Sequence, residues 1–426
     1  MSIFHSRKAI LALIFLSACN PGKKIQPSTP QAPVTVSETP IAMPEKREIT
    51  FLEKLLKAEN SPFAAVFQNP DSFNLQIIYT QITRDKDKTP QFTDHFYGIN
   101  KGHYFYPAST VKMPVAILAL QKLRELNIPG LDANSTMITE SGYSGQTPVY
   151  NDPTTPDGKP TIANYIKKIF LVSDNDAFNR LYEFLGPEYI NRELQKRGYA
   201  EAEIIHRLEV SLTEDQNRHT NPIRFLDPQG KTLYEQGGKE NTKAYDNRND
   251  KLGRGYMRDG RLINEPLDFS RKNRISLASL HDILKSVMFP EYTPAAKRFG
   301  LTKDDYVFLR TYMSATPSSV GNPPYDPETY YDTYCKFLLF GAERGAKIPA
   351  GLKVYNKVGD AYGHLLDIAY FSDTQHNLEF MISVILYCNK DGILNDDKYD
   401  YDELGFPFMK YLGREIYNYE LKKAGF

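Results

Sequence analysis

In the stretch FYPASTVKMP, residues 105–114, Ser109 and Lys112 stand three positions apart at the head of the apolar run VAILALQKL. On a helix, positions i and i+3 share a face, so the hydroxyl and the amine can meet about one turn apart. A serine hydroxyl needs a neighbouring base before it attacks an acyl group at neutral pH, and a buried lysine with a depressed pKa serves as one. The same residues also fit the start of an ordinary core helix behind Pro107, because this spacing recurs by chance in a chain of 426 residues.

Two distant segments bear on the choice. Ser173, Asp174 and Asn175 begin 64 residues after Ser109, between two helical patterns, and Lys357, Val358 and Gly359 end a strand pattern far downstream. Other arrangements offer less. GYSGQ at 142–146 lacks the closing glycine of a nucleophile elbow. The eight histidines include no HxxxH pair, so no zinc site is expected and no cofactor is implied. His364, with Asp367 behind it, is a second candidate base for Ser109.

The elements that must position these residues follow from periodicity. EITFLEKLLKAE at 48–59 is helical, and FNLQIIYTQI at 73–82 and QFTDHFYGI read as a hairpin. Helical patterns fill the middle: TIANYIKKIFLV, DAFNRLYEFLG, 276–288, 304–314 and the region around 331–343. Strand patterns return at 352–358, 365–371 and 378–388, before a long amphipathic segment. Strands from both ends around a helical middle imply one antiparallel sheet with an inserted helical lobe. Residues 214–270 are polar, glycine-dotted and poorly periodic, an excursion that is either functional or disordered.

Ser109-x-x-Lys112, Ser173-Asp174-Asn175 and Lys357-Val358-Gly359 stand in the order used by class A β-lactamases and penicillin-binding proteins. On these residues the chain from about 49 to 426 resembles the class A β-lactamase and penicillin-recognising serine hydrolase family. The resemblance implies an α+β fold: a five-stranded antiparallel sheet with flanking helices plus a helical lobe, and an active site between the two. It makes Ser109 the nucleophile and Lys112 the base, acting directly or alongside a water held by Glu209. Ser173 would relay a proton to the leaving nitrogen, Lys357 would supply positive potential and Asn175 would bind the substrate's amide. The backbone N–H groups of Ser109 and of Asp360, which follows Gly359, would hold the oxyanion. RLEVSLT at 207–213 is similar to the family's omega-loop pattern and places Glu209 where a water-activating carboxylate belongs; otherwise it is a solvated loop carboxylate.

The chain also departs from the pattern. Val358 removes a hydroxyl that helps hold the substrate carboxylate, and no Arg or Lys occurs over 358–373. The anchor then rests on Lys357, on His364, or on Arg254 or Arg258 from the excursion. Thr213 stands in place of asparagine, and the partner of Arg207 is not assignable from the sequence.

Fifty-two basic residues balance 52 acidic ones, which argues against nucleic acid as a partner. At the N-terminus, HSRK, AILALIFL and LSAC resemble a bacterial lipoprotein signal over residues 1–19, with Cys19 the lipidated residue; the alternative is an ordinary signal peptide with an incidental cysteine. Residues 20–48 carry six prolines and few large apolar groups, which suits a disordered tether. Cys335 and Cys388 are the remaining cysteines, and neither their spacing nor their context argues for a disulfide. The expectation is therefore a lipid-anchored envelope protein facing the periplasm, with a small-molecule β-lactam or a cell-wall peptide as partner. Its activity is β-lactam hydrolysis, D-Ala-D-Ala peptidase or transpeptidase chemistry, or non-catalytic binding or sensing.

Overall fold

The computed structural model describes residues 49–100 and 102–426. The expected signal segment with Cys19 and the tether 20–48 lie outside the described residues. Helices α1 (Phe51–Leu55) and α2 (Ala64–Gln68) come first. The helix expected over 48–59 is thus shorter, opened by a capping box in which Thr50 and Glu53 each accept from the other's backbone N–H. The hairpin β1 (Gln76–Arg84) and β2 (Pro90–Tyr97) follows. The helical middle holds α3 (Lys112–Leu126), strand β3 (Thr136–Thr139), α4 (Ile162–Val172), α5 (Asn175–Leu185) and α6 (Pro187–Lys196).

The polar stretch 214–270 is built from α7 (Glu214–Arg218) and short strands β4 (Ile223–Leu226), β5 (Thr232–Gln236), β6 (Lys251–Leu252), β7 (Gly255–Arg258), β8 (Arg261–Ile263) and β9 (Leu267–Asp268). Strand β4 lies between β3 and β5, and Arg248 pairs with Glu203 at 2.9 Å. Local pairing of this kind leaves little periodicity to read, because strands of two to five residues show no full alternation. Then come α8 (Leu277–Met288), α9 (Lys303–Ser314), β10 (Leu352–Ala361), β11 (His364–Asp373), β12 (Leu378–Tyr387), β13 (Ile393–Leu394) and α10 (Phe406–Lys423).

The main sheet runs β10-β11-β12-β1-β2, with every neighbour antiparallel. Its two faces feed two cores. On β11, Leu366, Ile368 and Tyr370 join Leu280 and Leu284 of α8, while Leu365, Ala369 and Phe371 join Leu52 of α1 and Phe408 and Leu412 of α10. A strand covered on both faces reads as an unbroken apolar run, and each large apolar side chain so buried contributes about 1.5–3 kcal/mol.

One expected helix is not there. Residues 331–343 are a series of turns, in which Leu339 (φ 72°), Gly341 (φ 63°) and Ala342 (φ 50°) take left-handed backbone that no α-helix accepts. The apolar spacing seen there arises from packing against α10, where Gly413 lets the backbone of Leu339 approach so closely that a Cβ would lie 2.3 Å from its nitrogen.

Candidate active site

Ser109 lies on a 3-10 turn, Ala108–Val111, immediately before α3. Ala108 is held at φ 46°, and Thr110 Oγ1 donates to the Pro107 carbonyl at 2.5 Å, so the turn is bent locally rather than being the first turn of a regular helix. Strand β10 runs against this turn. A Cβ on Gly359 would stand 2.9 Å from Ser109 N and 3.1 Å from Thr110 N, so no other residue lets the strand approach the Ser109 backbone this closely.

Lys112 is 0% exposed at the start of α3. Its amine donates to the Ser173 carbonyl, to Ser173 Oγ at 3.3 Å and to Asn175 Oδ1 at 2.6 Å. Burial, then the neighbouring charge of Lys357, push its pKa well below the usual lysine value. A deprotonated amine keeps two hydrogens for the two shorter acceptors and has a lone pair left to take a proton. The Ser109–Lys112 bond suggested by spacing is not formed: among the described residues, Ser109 Oγ makes no hydrogen bond. Such contacts commonly tighten only when substrate is bound.

Ser173 caps the end of α4 in left-handed conformation (φ 60°), which turns its carbonyl and hydroxyl toward the two lysines. Asp174 then starts α5 by accepting from Ala177 N at 2.7 Å. Lys357, 2% exposed on β10, donates to Ser173 Oγ and to the Val358 carbonyl, both at 2.8 Å. Burial pushes its pKa down to about 8. Asn175 carries the line outward, donating from Nδ2 to Glu209 Oε2 at 2.5 Å.

Glu209 is exposed, at φ 57°, on a loop pinned from behind. Asn179 clamps Leu208 by accepting from its N–H at 2.8 Å and donating to its carbonyl at 3.0 Å. The acidic partner of Arg207 lies upstream, buried Glu183 of α5 at 2.8 Å, while downstream Asn221 Oδ1 accepts from it at 3.1 Å. Asn179 and Glu183 carry no motif that would have singled them out. Thr213 starts α7 through a capping box with Gln216.

Two of the expected roles meet contrary geometry. His364 and Asp367 sit three apart on β11, so they point to opposite faces and cannot act in series on Ser109. His364 packs its ring 4.8 Å from that of Tyr387. Asp367 accepts from Phe337 N at 3.2 Å, Leu338 N at 2.9 Å and Asn356 Nδ2 at 2.8 Å. It therefore ties the turns of 331–343 to β10, alongside buried Lys336, which donates to Asn356 Oδ1 at 2.7 Å. The excursion arginines do not supply an anchor either. Arg254 donates to the Asp391 carbonyl and Arg258 lies 5.0 Å over the Tyr256 ring.

A cavity of about 630 Å³ opens beside Ser173, Val358 and Asp360 and is walled by Tyr331 and Tyr334. The tyrosine-rich string TYYDTYC is the signal the sequence holds for this wall, masked by its helix-like apolar spacing. Asp360 reaches solvent through the cleft yet is densely surrounded; that loss of water raises its carboxyl pKa, with Lys357 and Lys112 pulling it down.

The Beta-lactamase2 model, described as "Beta-lactamase enzyme family", matches residues 65–243, a span that includes Ser109, Lys112, Ser173, Asn175 and Glu209. No curated protein matches the sequence. Among solved structures, a β-lactamase from Burkholderia vietnamiensis is similar at 11% identity over 88% of this chain and 98% of its own, with a TM-score of 0.49. A β-lactamase from Xanthomonas campestris pv. campestris gives 13% over 87% and 99%, TM-score 0.48. A PBP-A mutant in acyl-enzyme complex with penicillin G gives 13% over 87% and 96%, TM-score 0.47. The segment 65–243, which matches the β-lactamase enzyme family, carries Ser109, Lys112 and the SDN residues, and the α+β fold brings Lys357 against them.

Proposed function

We propose that this protein is a serine hydrolase that forms an acyl-enzyme on Ser109, and that its reaction is β-lactam hydrolysis. The observation that supports this most is the hydrogen-bonded line Lys112–Asn175–Glu209, which joins a buried amine with a lowered pKa to a carboxylate at the cleft surface. In acylation, Ser109 Oγ bonds to the substrate carbonyl carbon as its proton passes to Lys112 Nζ. The N–H groups of Ser109 and Asp360 face the oxyanion, an arrangement in which a single donor contributes about 3–4 kcal/mol. Collapse breaks the C–N bond, Ser173 Oγ gives its proton to the leaving nitrogen, and Lys112, 3.3 Å away, returns a proton to Ser173. In deacylation Glu209 takes a proton from water as that water attacks the ester, and the proton ends on Ser109 Oγ.

A second reading, peptidase or transpeptidase action on cell-wall peptides, is favoured by the exposure of Glu209 and by Thr213 serving as a helix cap rather than a water ligand. Intact-protein mass spectrometry over time, with a β-lactam panel and a D-Ala-D-Ala peptide, separates them. A transient adduct with β-lactams supports hydrolysis, a permanent one supports the peptidase, and no adduct overturns both. We also propose lipid anchoring at Cys19 in the cell envelope, from the LSAC resemblance. Cys19→Ala should then release the protein from membranes, and retention in the membrane fraction would refute the anchor.

A further inference from the structure

In the acyl-enzyme reading above, Ser173 delivers the proton to the leaving nitrogen, and its place depends on a turn of only two residues. Helix α4 ends at Val172 and α5 begins at Asn175. Ser173 sits between them in left-handed backbone, φ 60°, which a serine keeps only where its surroundings over-determine it. Lys168 meets this turn twice. Its carbonyl accepts from the N–H of Ser173 and, at 3.3 Å, from that of Asp174. Its amine lies 4.0 Å from Asp174 Oδ2, while Asp174 Oδ1 accepts from Ala177 N at 2.7 Å. One oxygen of this carboxylate therefore faces α4 and the other holds the first turn of α5.

The amine of Lys168 is itself held from the far side. It lies 3.5 Å from Asp152 Oδ2, on the loop between β3 and α4, where Asp152 is 4% exposed. Asp152 in turn accepts from Thr154 N at 3.0 Å, Thr154 Oγ1 at 2.6 Å and Asn164 Nδ2 at 2.7 Å. Asn164 stands one helical turn before Lys168, so two side chains of α4 face the same buried carboxylate. An amine 12% exposed between two carboxylates, one of them locked, has far less freedom than a surface ion pair. None of Asp152, Asn164 and Lys168 lines the cavity beside Ser173, so any effect on the reaction runs through the turn. We infer that Lys168 is a positioning residue for Ser173: held by Asp152, it fixes the Asp174 carboxylate and with it the turn that keeps Ser173 Oγ 2.8 Å from the Lys357 amine and 3.3 Å from that of Lys112.

The role of Ser173 in this inference rests on the acyl-enzyme reading; its placement does not, and the test separates the two. Lys168→Met keeps the backbone bonds and most of the stem but removes the amine. Acylation of Ser109 by a chromogenic cephalosporin, followed by stopped flow, should slow by about tenfold, and Lys168→Arg should recover about threefold or more of that loss. The affinity of Ser109→Ala protein for the intact cephalosporin should be the same with and without Lys168→Met. In a Ser173→Ala background Lys168→Met should slow acylation no further, because a residue acting through Ser173 then has nothing to act on, whereas a role in general stability slows both backgrounds alike. Hydrogen–deuterium exchange reads the placement without turnover: over 173–176 it should quicken by about tenfold or more in Lys168→Met, with β11 and β12 unchanged. Should Lys168→Met not fold, Lys168→Gln, which leaves Asp152 a donor, takes its place in every arm. Equal slowing in both backgrounds, or unaltered exchange over 173–176, overturns the inference. No acylation in the wild type counts against the acyl-enzyme reading alone, and exchange still decides whether Lys168 holds Ser173.

Discussion

The helical side of the cleft and the side formed by β10, the turns of 331–343 and the start of α10 are built on different principles. On the helical side Lys112, Ser173, Asn175 and Glu209 are joined by hydrogen bonds, and the loop behind Glu209 is fastened by Asn179 and Arg207. On the other side the bonding lies beneath the surface, in Lys336, Asn356 and Asp367, while Asp360 and Asp402 line the cavity and, among the described residues, make no side-chain hydrogen bond or ion pair. Groups bonded in advance need no reorganisation when charge moves, which suits the part of a site that does chemistry. Unpaired groups on a rigid backing are available to a ligand, which suits the part that chooses one.

The largest expected effect lies at the meeting point of the two sides. Ser109→Ala should abolish covalent labelling by acylating agents. Because Ser109 Oγ makes no hydrogen bond among the described residues, stability should move by no more than about 0.5 kcal/mol. Labelling that persists at another serine in a peptide map would remove Ser109 from its role.

Next comes Glu209→Gln, which keeps an oxygen to accept from Asn175 Nδ2 but removes the base. Acylation should continue while turnover falls by about 10² or more, so that the acyl-enzyme accumulates in single-turnover mass spectrometry. Turnover at the wild-type rate would make Glu209 a loop carboxylate and favour the peptidase reading.

The pH dependence joins the two sides through Lys357. Its pKa, lowered by burial from 10.5 to about 8, means that its charge is lost as pH rises through about 8. The acylation rate should therefore fall above about pH 8, by up to tenfold per unit. The stability effect has the opposite sense. Between about 8 and 10.5 the unfolded chain holds a proton that the folded chain has released, so this group adds stability as pH rises across that window. Stopped-flow acylation and thermal melts on one pH series check both signs, and an acylation rate flat to about pH 10 would refute the assignment.

How much of this was legible follows the same division. Ser109, Lys112, Ser173, Asn175 and Lys357 could be picked out because their three motifs stand in a recognisable order, and the structure brings Lys112, Ser173, Asn175 and Lys357 into one hydrogen-bonded group; the sheet could be read because β11 and β12 bury both faces. The wall could not. Its apolar spacing reports burial against α10 and β10, which a row of turns satisfies as well as a helix does, and the positive φ at Leu339 and Ala342 has no residue-type signature. The Arg207–Glu183 pair was hidden for a related reason: the two meet only because α5 folds back beneath the loop. The His364–Asp367 pairing, by contrast, could have been rejected beforehand, since residues three apart on a strand face opposite ways.

The smallest expected effect tests whether the second side can be turned toward the chemistry of its relatives. Val358→Thr changes a methyl for a hydroxyl at a residue 2% exposed, lining the cavity beside Ser173. The shapes match, so the fold should hold, at a cost of about 1–2 kcal/mol for the hydroxyl where it lacks a partner. With a carboxylate-bearing β-lactam bound, the hydroxyl gains an acceptor. One added hydrogen bond in a cleft that keeps Asp360 and Asp402 should raise kcat/KM for that substrate by about three- to tenfold and leave a substrate without a carboxylate unchanged. A matched pair of such substrates measured side by side decides the matter. An equal change in both would mean that residue 358 acts through the position of β10 rather than on the leaving group, and the contrast between a bonded side and an open one would then have to be drawn without Val358.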